Sequence, residues 1–271
     1  MFQIVRKQEM AAGTIIRFDI SAPKIAKKIK AGQFIILRVN ETGERIPLTV
    51  ADKDEFAGII TIIFQVVGKT TALMRSLNEG DLIKDVVGPL GRPAEAEKIG
   101  TVLMVGGGTG VAILHHVAKA FKEAGNYVIG IMGAKDKEML ILENEMAQIC
   151  AELVITTDDG SYGERGFVTQ PLDKYLGERD DIKLVYAIGP IIMMKNWVIL
   201  VNMVFVWTLL KPGLLKDNEK IIFVINLAGA GPLMNCDFIK MEILSIGFSI
   251  GLTEQTLMLR MTKWLKRLRG I

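Results

Sequence analysis

Three short segments of the sequence combine residue types that can hold phosphate groups. They are Arg45–Thr49, Val105–Gly110 and Thr157–Gly163. The middle segment, Val-Gly-Gly-Gly-Thr-Gly, lies between an apolar strand predicted over 101–105 and a helix predicted over 111–124. Backbone N–H groups and a helix N-terminus at such a turn can bind phosphate. A ligand-free tight turn would also need glycine, but the strand and the immediate helix favour phosphate binding.

Two features limit what kind of phosphate site this is. The residues after Gly110 are not Lys-Ser or Lys-Thr, so the segment is not a P-loop. The second strand predicted in this region ends in Met-Gly-Ala-Lys, at 132–135, without an acidic residue. The usual acceptor for a ribose 2′-hydroxyl is therefore not evident. Lys135 could meet a 2′-phosphate or be an ordinary solvated lysine, so the sequence leaves the nucleotide preference open.

The segment Arg45-Ile46-Pro47-Leu48-Thr49 combines a forked donor, a restricted backbone and a hydroxyl group. Arginine can place two donors on a pyrophosphate, and proline fixes the local backbone. On these residues alone, a surface arginine before a strand is the simpler interpretation. Downstream, Gly68-Lys69-Thr70-Thr71 precedes a helix predicted over 72–77. Its N–H groups could receive a second phosphate, and an ordinary helix N-cap explains the same residues equally well.

Other polar residues have simpler explanations than catalysis. Asp158 and Asp159 are consecutive, and two consecutive carboxylates rarely face one ligand, so turn chemistry accounts for them better. His115 and His116 are adjacent on a predicted helix and therefore point in different directions, which predicts packing or surface roles rather than metal binding. Cys150 is predicted to be a small buried apolar residue. The sequence contains no Ser-His-Asp or Cys-His arrangement with supporting context, so it offers no candidate nucleophile for hydrolysis.

Composition excludes several classes of protein. The chain has 271 residues, a formal net charge of +3 and interspersed charges, so no basic stripe for nucleic acid is present. Its two cysteines, Cys150 and Cys236, cannot form a disulfide framework and fit a reducing cytoplasm. No secretory signal is recognisable near the N-terminus. The apolar stretch 197–210 is shorter than the ~20 residues that span a bilayer. Membrane insertion is therefore not expected, although an interfacial contact stays open.

The order of apolar segments predicts two domains and a tail. Short strands rich in Ile, Val, Phe and Thr, at 14–20, 33–39, 46–51 and 58–67, predict an antiparallel β-barrel over 1–93. The turn cluster at 88–93 marks its end. Strands and helices alternate afterwards, which predicts a doubly wound parallel α/β sheet over 98–230. Its strands are placed at 102–105, 127–132, 153–156, 184–188 and 221–226, and its helices at 111–124, 137–150 and 168–176. An atypical tail, with a basic helix over 262–269, follows at 231–271.

Taken together, the segments resemble the ferredoxin–NADP reductase superfamily. Six motifs occur in the order of that family over about residues 1–195: Arg45–Thr49, Gln65–Thr71, Gly88–Gly91, Gly106–Ala112, Thr157–Gly166 and Ala187–Pro190. Within the superfamily the chain looks most like the small flavin subunit of NADH-dependent ferredoxin:NADP oxidoreductase. That branch also contains the sulfide dehydrogenase subunit and the electron-transfer subunit of dihydroorotate dehydrogenase.

The resemblance implies a role for each matching residue. Arg45, Thr70 and Thr71 would hold the pyrophosphate of FAD. Pro47, Leu48 and Thr49 would line the flavin ring, with the Thr49 hydroxyl as the one catalytic candidate, near flavin N5. The remaining flavin contacts would come from Gln65, Val66 and Val67. The cleft for NAD(H) or NADP(H) would be formed by Gly107, Gly108, Thr109, Gly110, Thr157, Asp158, Asp159, Gly189 and Pro190.

The implied activity is hydride transfer between NAD(P)H and FAD, with electrons passed to a larger flavin or iron–sulfur subunit in a heterodimer and to a ferredoxin-like carrier. Electron transfer within a dihydroorotate dehydrogenase is the alternative inside the same class. The resemblance ends near residue 196. Family members carry a cysteine-rich segment there for a [2Fe–2S] cluster, whereas Cys236 stands alone here as the one remnant of such a metal site.

Two explanations of that ending compete. The tail is either a divergent segment of a flavoprotein without its cluster, or a product of a shifted reading frame, which we favour because the character of the sequence changes abruptly. A non-catalytic flavin-binding protein is the rival function that the missing cysteines suggest.

Overall fold

The N-terminal region forms one curved antiparallel sheet. The computed structural model describes residues 1–189, 220–227 and 239–244 of the chain. The first seven strands are β1 (Phe2–Met10), β2 (Ile15–Ser21), β3 (Phe34–Arg38), β4 (Ile46–Asp54), β5 (Ile59–Gln65), β6 (Leu82–Ile83) and β7 (Asp85–Leu90). They pair in the order β6-β1-β2-β5-β4-β3-β7, and every pair is antiparallel. The outermost strands, β6 and β7, are joined through Lys84 alone. The sheet must therefore curl until its edges meet, which confirms the predicted barrel.

Alternating apolar residues fill the inside of this barrel. Phe18 on β2 meets Phe64 on β5 edge to face, with ring centroids 5.3 Å apart, an arrangement favoured by the charge distribution of aromatic rings. Both rings lie in a cluster of buried Ile, Leu and Val side chains that most of the barrel strands supply. Two short helices, α1 (Pro23–Ala26) and α2 (Lys69–Arg75), lie in the connections.

The second region is a parallel sheet with helices between its strands, as the alternation predicts. Its strands are β8 (Thr101–Gly107), β9 (Tyr127–Ala134), β10 (Glu152–Thr157), β11 (Glu164–Arg165), β12 (Ile182–Gly189), β13 (Lys220–Leu227) and β14 (Ile239–Leu244). The order is β11-β10-β9-β8-β12-β13-β14, and only β14 runs antiparallel to its neighbour among these strands. All residues of β8 are buried, as expected of a central strand covered on both faces. The strand predicted at 221–226 is β13.

Helices α3 (Gly110–Glu123), α4 (Glu143–Ile149) and α5 (Thr169–Glu178) connect these strands. The apolar face predicted for α3 is buried, including Leu114, Val117 and Phe121. Gly125, with φ +87°, ends the helix in the left-handed conformation that glycine adopts most easily. No helix in the described ranges has the length and apolar character needed to cross a bilayer.

Three local predictions were wrong in their boundaries. The helix expected over 137–150 is divided into a 3₁₀ turn (Lys137–Met139) and α4, because Leu142 takes a left-handed conformation with φ +58°. Helix α2 begins at Lys69 rather than at residue 72, so Lys69, Thr70 and Thr71 form its first turn. Residues 88–90, expected in a turn, extend strand β7.

The barrel and the parallel sheet share buried contacts. Ala11, Ile15 and Ala51 of the barrel belong to the same buried cluster as the core face of α3. Helix α3 therefore packs against its own sheet and against β4 of the barrel. Four sequence features fall outside the described residues: the apolar stretch 197–210, the basic segment 262–269, Pro190 and Cys236.

Candidate functional site

The parallel strands end at a common edge of the sheet. Gly107 at the end of β8 pairs with Gly133 of β9, and Thr157 at the end of β10 pairs with Ala134. The chain proceeds outward from β8 to β9 and β10, then crosses back to place β12 on the other side of β8. Ligands of such sheets bind outside the carboxyl ends of the strands where this reversal occurs. The reversal lies between β8 and β12, beside the glycine segment.

Two glycines of the segment 106–110 are required for different structural reasons. A Cβ on Gly110 would lie 2.5 Å from the carbonyl oxygen of Ile188, so glycine lets α3 approach the end of β12. Gly108 has φ +54°, and a Cβ there would meet nothing within 4 Å. Any other residue would be strained in this backbone conformation. The space beside Gly108 is open, so a ligand could approach the backbone there.

Helix α3 begins directly at this edge. Its N-cap residue, Thr109, makes no capping hydrogen bond with its side chain and is half-buried. In the first turn, the N–H groups of Val111 and Ala112 donate to the carbonyls of Gly108 and Thr109 at 3.3 and 3.1 Å. The Gly108 N–H donates to the carbonyl of Gly133 at 2.9 Å and fixes the loop. The predicted phosphate-binding residues Gly107, Gly108, Thr109 and Gly110 therefore lie together at the helix N-terminus, where the helix dipole favours an anion.

The loop after β10 is held from inside by Thr157. Its buried hydroxyl donates to the carbonyl of Tyr162 at 2.7 Å and accepts from the Tyr162 N–H at 3.1 Å. The side chain of Thr157 thus shapes the loop rather than pointing outward. Asp159 accepts from the Ser161 N–H at 2.9 Å, the turn chemistry that the sequence favours.

The carboxyl groups of this loop differ in character. Burial raises the pKa of Asp158, and neighbouring Asp159 adds to the rise while Lys135 opposes it. Hydrogen bonding to Ser161 lowers the pKa of Asp159. Asp158 and Lys135 are both exposed, beyond the ends of β10 and β9. Asp159 is exposed as well, so this edge presents one cation and two carboxylates to solvent.

On the barrel, the candidate flavin segment follows the start of β4. Arg45 and Pro47 are exposed, whereas Leu48 and Thr49 are half-buried. Thr49 pairs with Phe34 of β3, which fixes its backbone in the sheet. A flexible cation and a proline on an exposed rim, next to a half-buried hydroxyl, can contact a ligand without unfolding the strand.

The second barrel segment lies next to the first. Thr70, which is 9% exposed, donates its hydroxyl to the carboxylate of Glu44 at 2.9 Å. The structure thereby brings the first turn of α2 beside Arg45. The Thr71 hydroxyl accepts from the N–H groups of Val67 and Gly68, each at 3.0 Å, which is an ordinary N-terminal capping role. The loop before it is open: Gln65 and Val67 are exposed and Val66 is half-buried.

Known proteins match this arrangement. A model of the oxidoreductase NAD-binding domain family matches residues 104–198. A dihydroorotate dehydrogenase B electron transfer subunit homolog of Thermotoga maritima is 46% identical over 193 residues, 71% of this chain and 67% of the relative. The electron transfer subunit from Streptococcus mutans is 34% identical, covering 71% and 74%. A solved NADH-dependent reduced ferredoxin–NADP oxidoreductase, described for flavin-based electron bifurcation, has a TM-score of 0.74 at 38% identity, covering 85% of this chain and 77% of that chain.

The chain belongs to the ferredoxin–NADP reductase superfamily. The suspected family, the two-domain fold and the class of enzyme are thereby confirmed: this is a NAD-binding oxidoreductase of the electron-transfer type. The superfamily implies FAD and NAD binding. The barrel rim and the sheet edge fit these two groups, because one offers an exposed arginine beside a helix start and the other an open glycine loop at a strand reversal.

An iron–sulfur cluster does not fit this reductase chain. The two cysteines of the chain exclude a four-cysteine cluster, and a cluster with two cysteine and two histidine ligands would need every cysteine and histidine of the chain. Burial raises the pKa of Cys150 to about 11, and a Cβ on Gly130 would lie 2.7 Å from its sulfur, so this thiol is a packing group. Both histidines are buried in α3. Within the described ranges no group of three potential ligands could hold a metal.

Two features of this reductase lie outside the predicted sites. His115 and His116, predicted as packing or surface residues, are buried at the boundary between the two domains. A cavity of about 1100 Å³ opens on the same side, between the barrel, the linker before β8 and α3, and it contains none of the predicted cofactor residues. The helical period of α3 indicates that these histidines lie at least partly on its buried face. Nothing in the sequence indicates which strand they contact.

Proposed function

We propose that this chain is a subunit that binds FAD on the barrel rim, binds a nicotinamide nucleotide at the sheet edge and exchanges hydride between them. One observation carries the proposal: α3 begins at the glycine loop and packs against β4, the strand that contains Pro47, Leu48 and Thr49. A single helix thus connects the two candidate cofactor regions.

The proposed roles of the residues are supported by where they lie and by the family resemblance. Arg45 and the first turn of α2 would hold the pyrophosphate of FAD, while Pro47 and Leu48 would pack against its ring. The half-buried hydroxyl of Thr49 would donate or accept a hydrogen bond at the reacting edge. FAD supplies acceptance of two electrons and their release one at a time. Because a hydride carries its own electron pair, none of these side chains has to act as a general acid or base.

At the sheet edge, Gly107, Gly108, Thr109 and Gly110 would bind the nucleotide phosphates, with Gly189 at the end of β12 closing the cleft. Asp158 and Asp159 would line it from the loop that Thr157 shapes. Lys135 would favour a 2′-phosphate if it turns toward the ribose. Orientation of the two rings is the main contribution of the protein, since correct placement alone accelerates transfer.

The expected partners are a larger flavin or iron–sulfur subunit and a ferredoxin-like carrier. The relatives from Thermotoga maritima and Streptococcus mutans favour a second candidate, electron transfer to a dihydroorotate dehydrogenase. Mixing the chain with such a catalytic subunit and measuring dihydroorotate-dependent reduction of NAD⁺ separates the two. Because the chain lacks the cysteines for a cluster, its exit route for electrons would be direct contact with the partner. Location in a reducing cytoplasm belongs to the same proposal.

An anaerobic reduction experiment tests the central proposal. The full chain is reconstituted with FAD and titrated with NADH or NADPH while the visible flavin absorbance is recorded. We expect bleaching with one nucleotide at low concentration, and reduction of ferricyanide on its addition. A protein that binds FAD without being reduced by either nucleotide would be a non-catalytic flavoprotein. A chain that takes up no FAD would refute both readings.

A further inference from the structure

Two buried histidines of α3 bind the backbone of the barrel strand that carries the candidate flavin segment. Nδ1 of His115 lies 3.2 Å from the carbonyl oxygen of Ala51, and Nδ1 of His116 lies 3.0 Å from that of Val50. The two residues are only 7% and 5% exposed. Both contacts join parts of the chain more than sixty residues apart in sequence.

The geometry of β4 explains why these carbonyls are available. Strand β3 begins at Phe34 and pairs with β4 only as far as Thr49. On the other side, the register with β5 shifts between Val50 and Asp52. Such a β-bulge leaves one residue unpaired and redirects the neighbouring backbone groups. Val50 pairs with Ile62 and its N–H donates to the Gln33 carbonyl at 3.1 Å, so the irregularity falls at Ala51. The histidines contact the carbonyls of Val50 and Ala51 at this point, where β4 no longer pairs with β3.

The acceptors also fix which nitrogen of each ring carries a hydrogen. A carbonyl oxygen only accepts hydrogen bonds, so Nδ1 must carry the hydrogen in His115 and in His116. Burial lowers the pKa of His116, and the Val50 carbonyl and Asp52 oppose this only in part. His116 is therefore a neutral ring with a defined tautomer near neutral pH.

An ion pair continues the same contact one turn along α3. Lys119 Nζ lies 2.9 Å from Oδ1 of Asp52. Burial alone would raise the pKa of Asp52, but hydrogen bonds from Lys119 and from the Lys53 N–H hold that pKa below its usual value. We call these three contacts, His115–Ala51, His116–Val50 and Lys119–Asp52, the α3–β4 clamp.

The clamp is connected along the chain to both candidate cofactor regions, and three of its residues, Asp52, His116 and Lys119, also line the cavity described above. On β4 its first acceptor, Val50, directly follows Thr49. On α3 the two histidines lie between one and two turns from Gly110, where the nucleotide loop ends, and Lys119 lies one turn further along. Movement of the helix relative to the strand would shift one cofactor region against the other by the same amount.

We propose that His115 and His116 are positioning residues, which hold the nucleotide loop at a fixed distance and angle from the flavin segment. This proposal rests on the proposed hydride transfer. Neither ring needs to touch a cofactor, because each acts through the backbone of β4. A displacement of about 1 Å at a reacting pair can reduce a rate by about 10²-fold. Loss of one histidine contact should therefore slow hydride transfer by roughly 10- to 100-fold without weakening either cofactor.

A matched set of substitutions at His116 tests this. Asparagine places its amide N–H near the position of Nδ1, whereas glutamine, closer in size to histidine, places it near Nε2. His116→Leu removes the donor altogether. We expect His116→Asn to keep the rate of flavin reduction within about threefold, and His116→Gln and His116→Leu to lose about 10- to 100-fold. The dissociation constants of FAD and NAD⁺, measured separately, should be unchanged.

A second readout does not depend on turnover. In the flavin-free chain, ¹⁵N NMR of the imidazole rings should show the Nδ1–H tautomer. Amide hydrogen exchange in β4 and α3 should be faster in His116→Gln than in His116→Asn. Equal transfer rates in all three variants, or a loss that follows FAD affinity, would overturn the proposal. If His116→Leu does not fold, Lys119→Met tests the same clamp from its less buried end.

The two proposals fail in different ways. If the unsubstituted chain with FAD is not reduced by NADH or NADPH, the proposed function falls, while the exchange experiment still decides whether the clamp exists. If the unsubstituted chain is reduced and His116→Gln is reduced equally fast, the clamp has no positioning role and the proposed function stands.

Discussion

The two candidate cofactor regions are built in opposite ways. The barrel rim relies on exposed side chains, with Arg45 and Val67 open to solvent. The sheet edge relies on backbone, and Gly110 lies so close to Ile188 that no side chain fits. Substitutions on the rim should therefore alter affinity and leave the fold intact. Substitutions at the edge should alter stability and affinity together.

Gly110→Ala should give the largest effect of this comparison. Its Cβ would lie 2.5 Å from the Ile188 oxygen and 2.8 Å from the carbonyl carbon, so α3 or β12 must move. We expect a loss of about 3 kcal/mol in the free energy of unfolding, the upper part of the range for overpacking, measured by urea denaturation. Reduction of the flavin by NADH should also slow, because the loop moves with α3.

Gly177→Ala is the matched control in α5. A Cβ at that position meets nothing within 4 Å, and alanine is favoured over glycine inside a helix by roughly 0.5–1 kcal/mol. The control should therefore stabilise the chain slightly. A Gly110→Ala protein as stable as the unsubstituted chain would show that the edge tolerates side chains, and the contrast between edge and rim would disappear.

Arg45→Ala should act on the rim without changing the fold. Hydrogen bonds to charged groups contribute about 1.5–3 kcal/mol, so the dissociation constant of FAD should rise about 10- to 100-fold. The urea midpoint of the flavin-free chain should stay the same because Arg45 is exposed. Arg6→Ala removes an exposed arginine from β1 that donates a hydrogen bond to Gln8 at 3.4 Å, and it should leave FAD affinity unchanged. If both variants lose the same FAD affinity, the effect comes from the net charge of the chain and not from contact between Arg45 and FAD.

Local chemistry made much of this molecule predictable. Glycine type and spacing identified the loop at 106–110, and alternating apolar segments identified the parallel sheet and its apolar helix face. The break before α4 was missed because Leu142 adopts a conformation that leucine rarely takes. The partners of His115 and His116 were missed because they lie on a bulged strand of another domain. Sequence periodicity reports the buried face of a helix but not what covers it.

Thr157→Val tests which interaction holds the loop after β10 in place at the sheet edge. The substitution removes a buried hydroxyl that holds both the N–H and the carbonyl of Tyr162. Leaving such groups unpaired costs about 1–3 kcal/mol, so stability should fall by roughly 1–2 kcal/mol and the KM for NADH should rise. FAD affinity should be unchanged. Thr157→Ser keeps the hydroxyl and should restore most of both losses; if it does not, the methyl packing of Thr157 matters rather than its hydrogen bonds.

The smallest expected effect is a pH dependence of the free energy of unfolding, caused by His116 at the boundary between the two regions. Burial lowers the pKa of His116 in the folded chain below its ordinary value of 6.5, so the unfolded chain takes up a proton first as the pH falls. Stability should be constant above about pH 7 and should decline below about pH 6.5, by at most 1.4 kcal/mol per pH unit. Asp52 does not contribute in this range, since its pKa lies below the usual 3.8 and its carboxylate stays ionised.

Urea midpoints between pH 8 and 5 measure this decline. Asparagine does not titrate, so the His116→Asn chain should lose less stability than the unsubstituted chain over the same interval, while the two should respond alike above pH 7. Parallel curves throughout would mean that His116 takes up a proton equally in the folded and unfolded chains. The ring would then be accessible to water, and the boundary between barrel and sheet would be looser than the two buried carbonyl contacts imply.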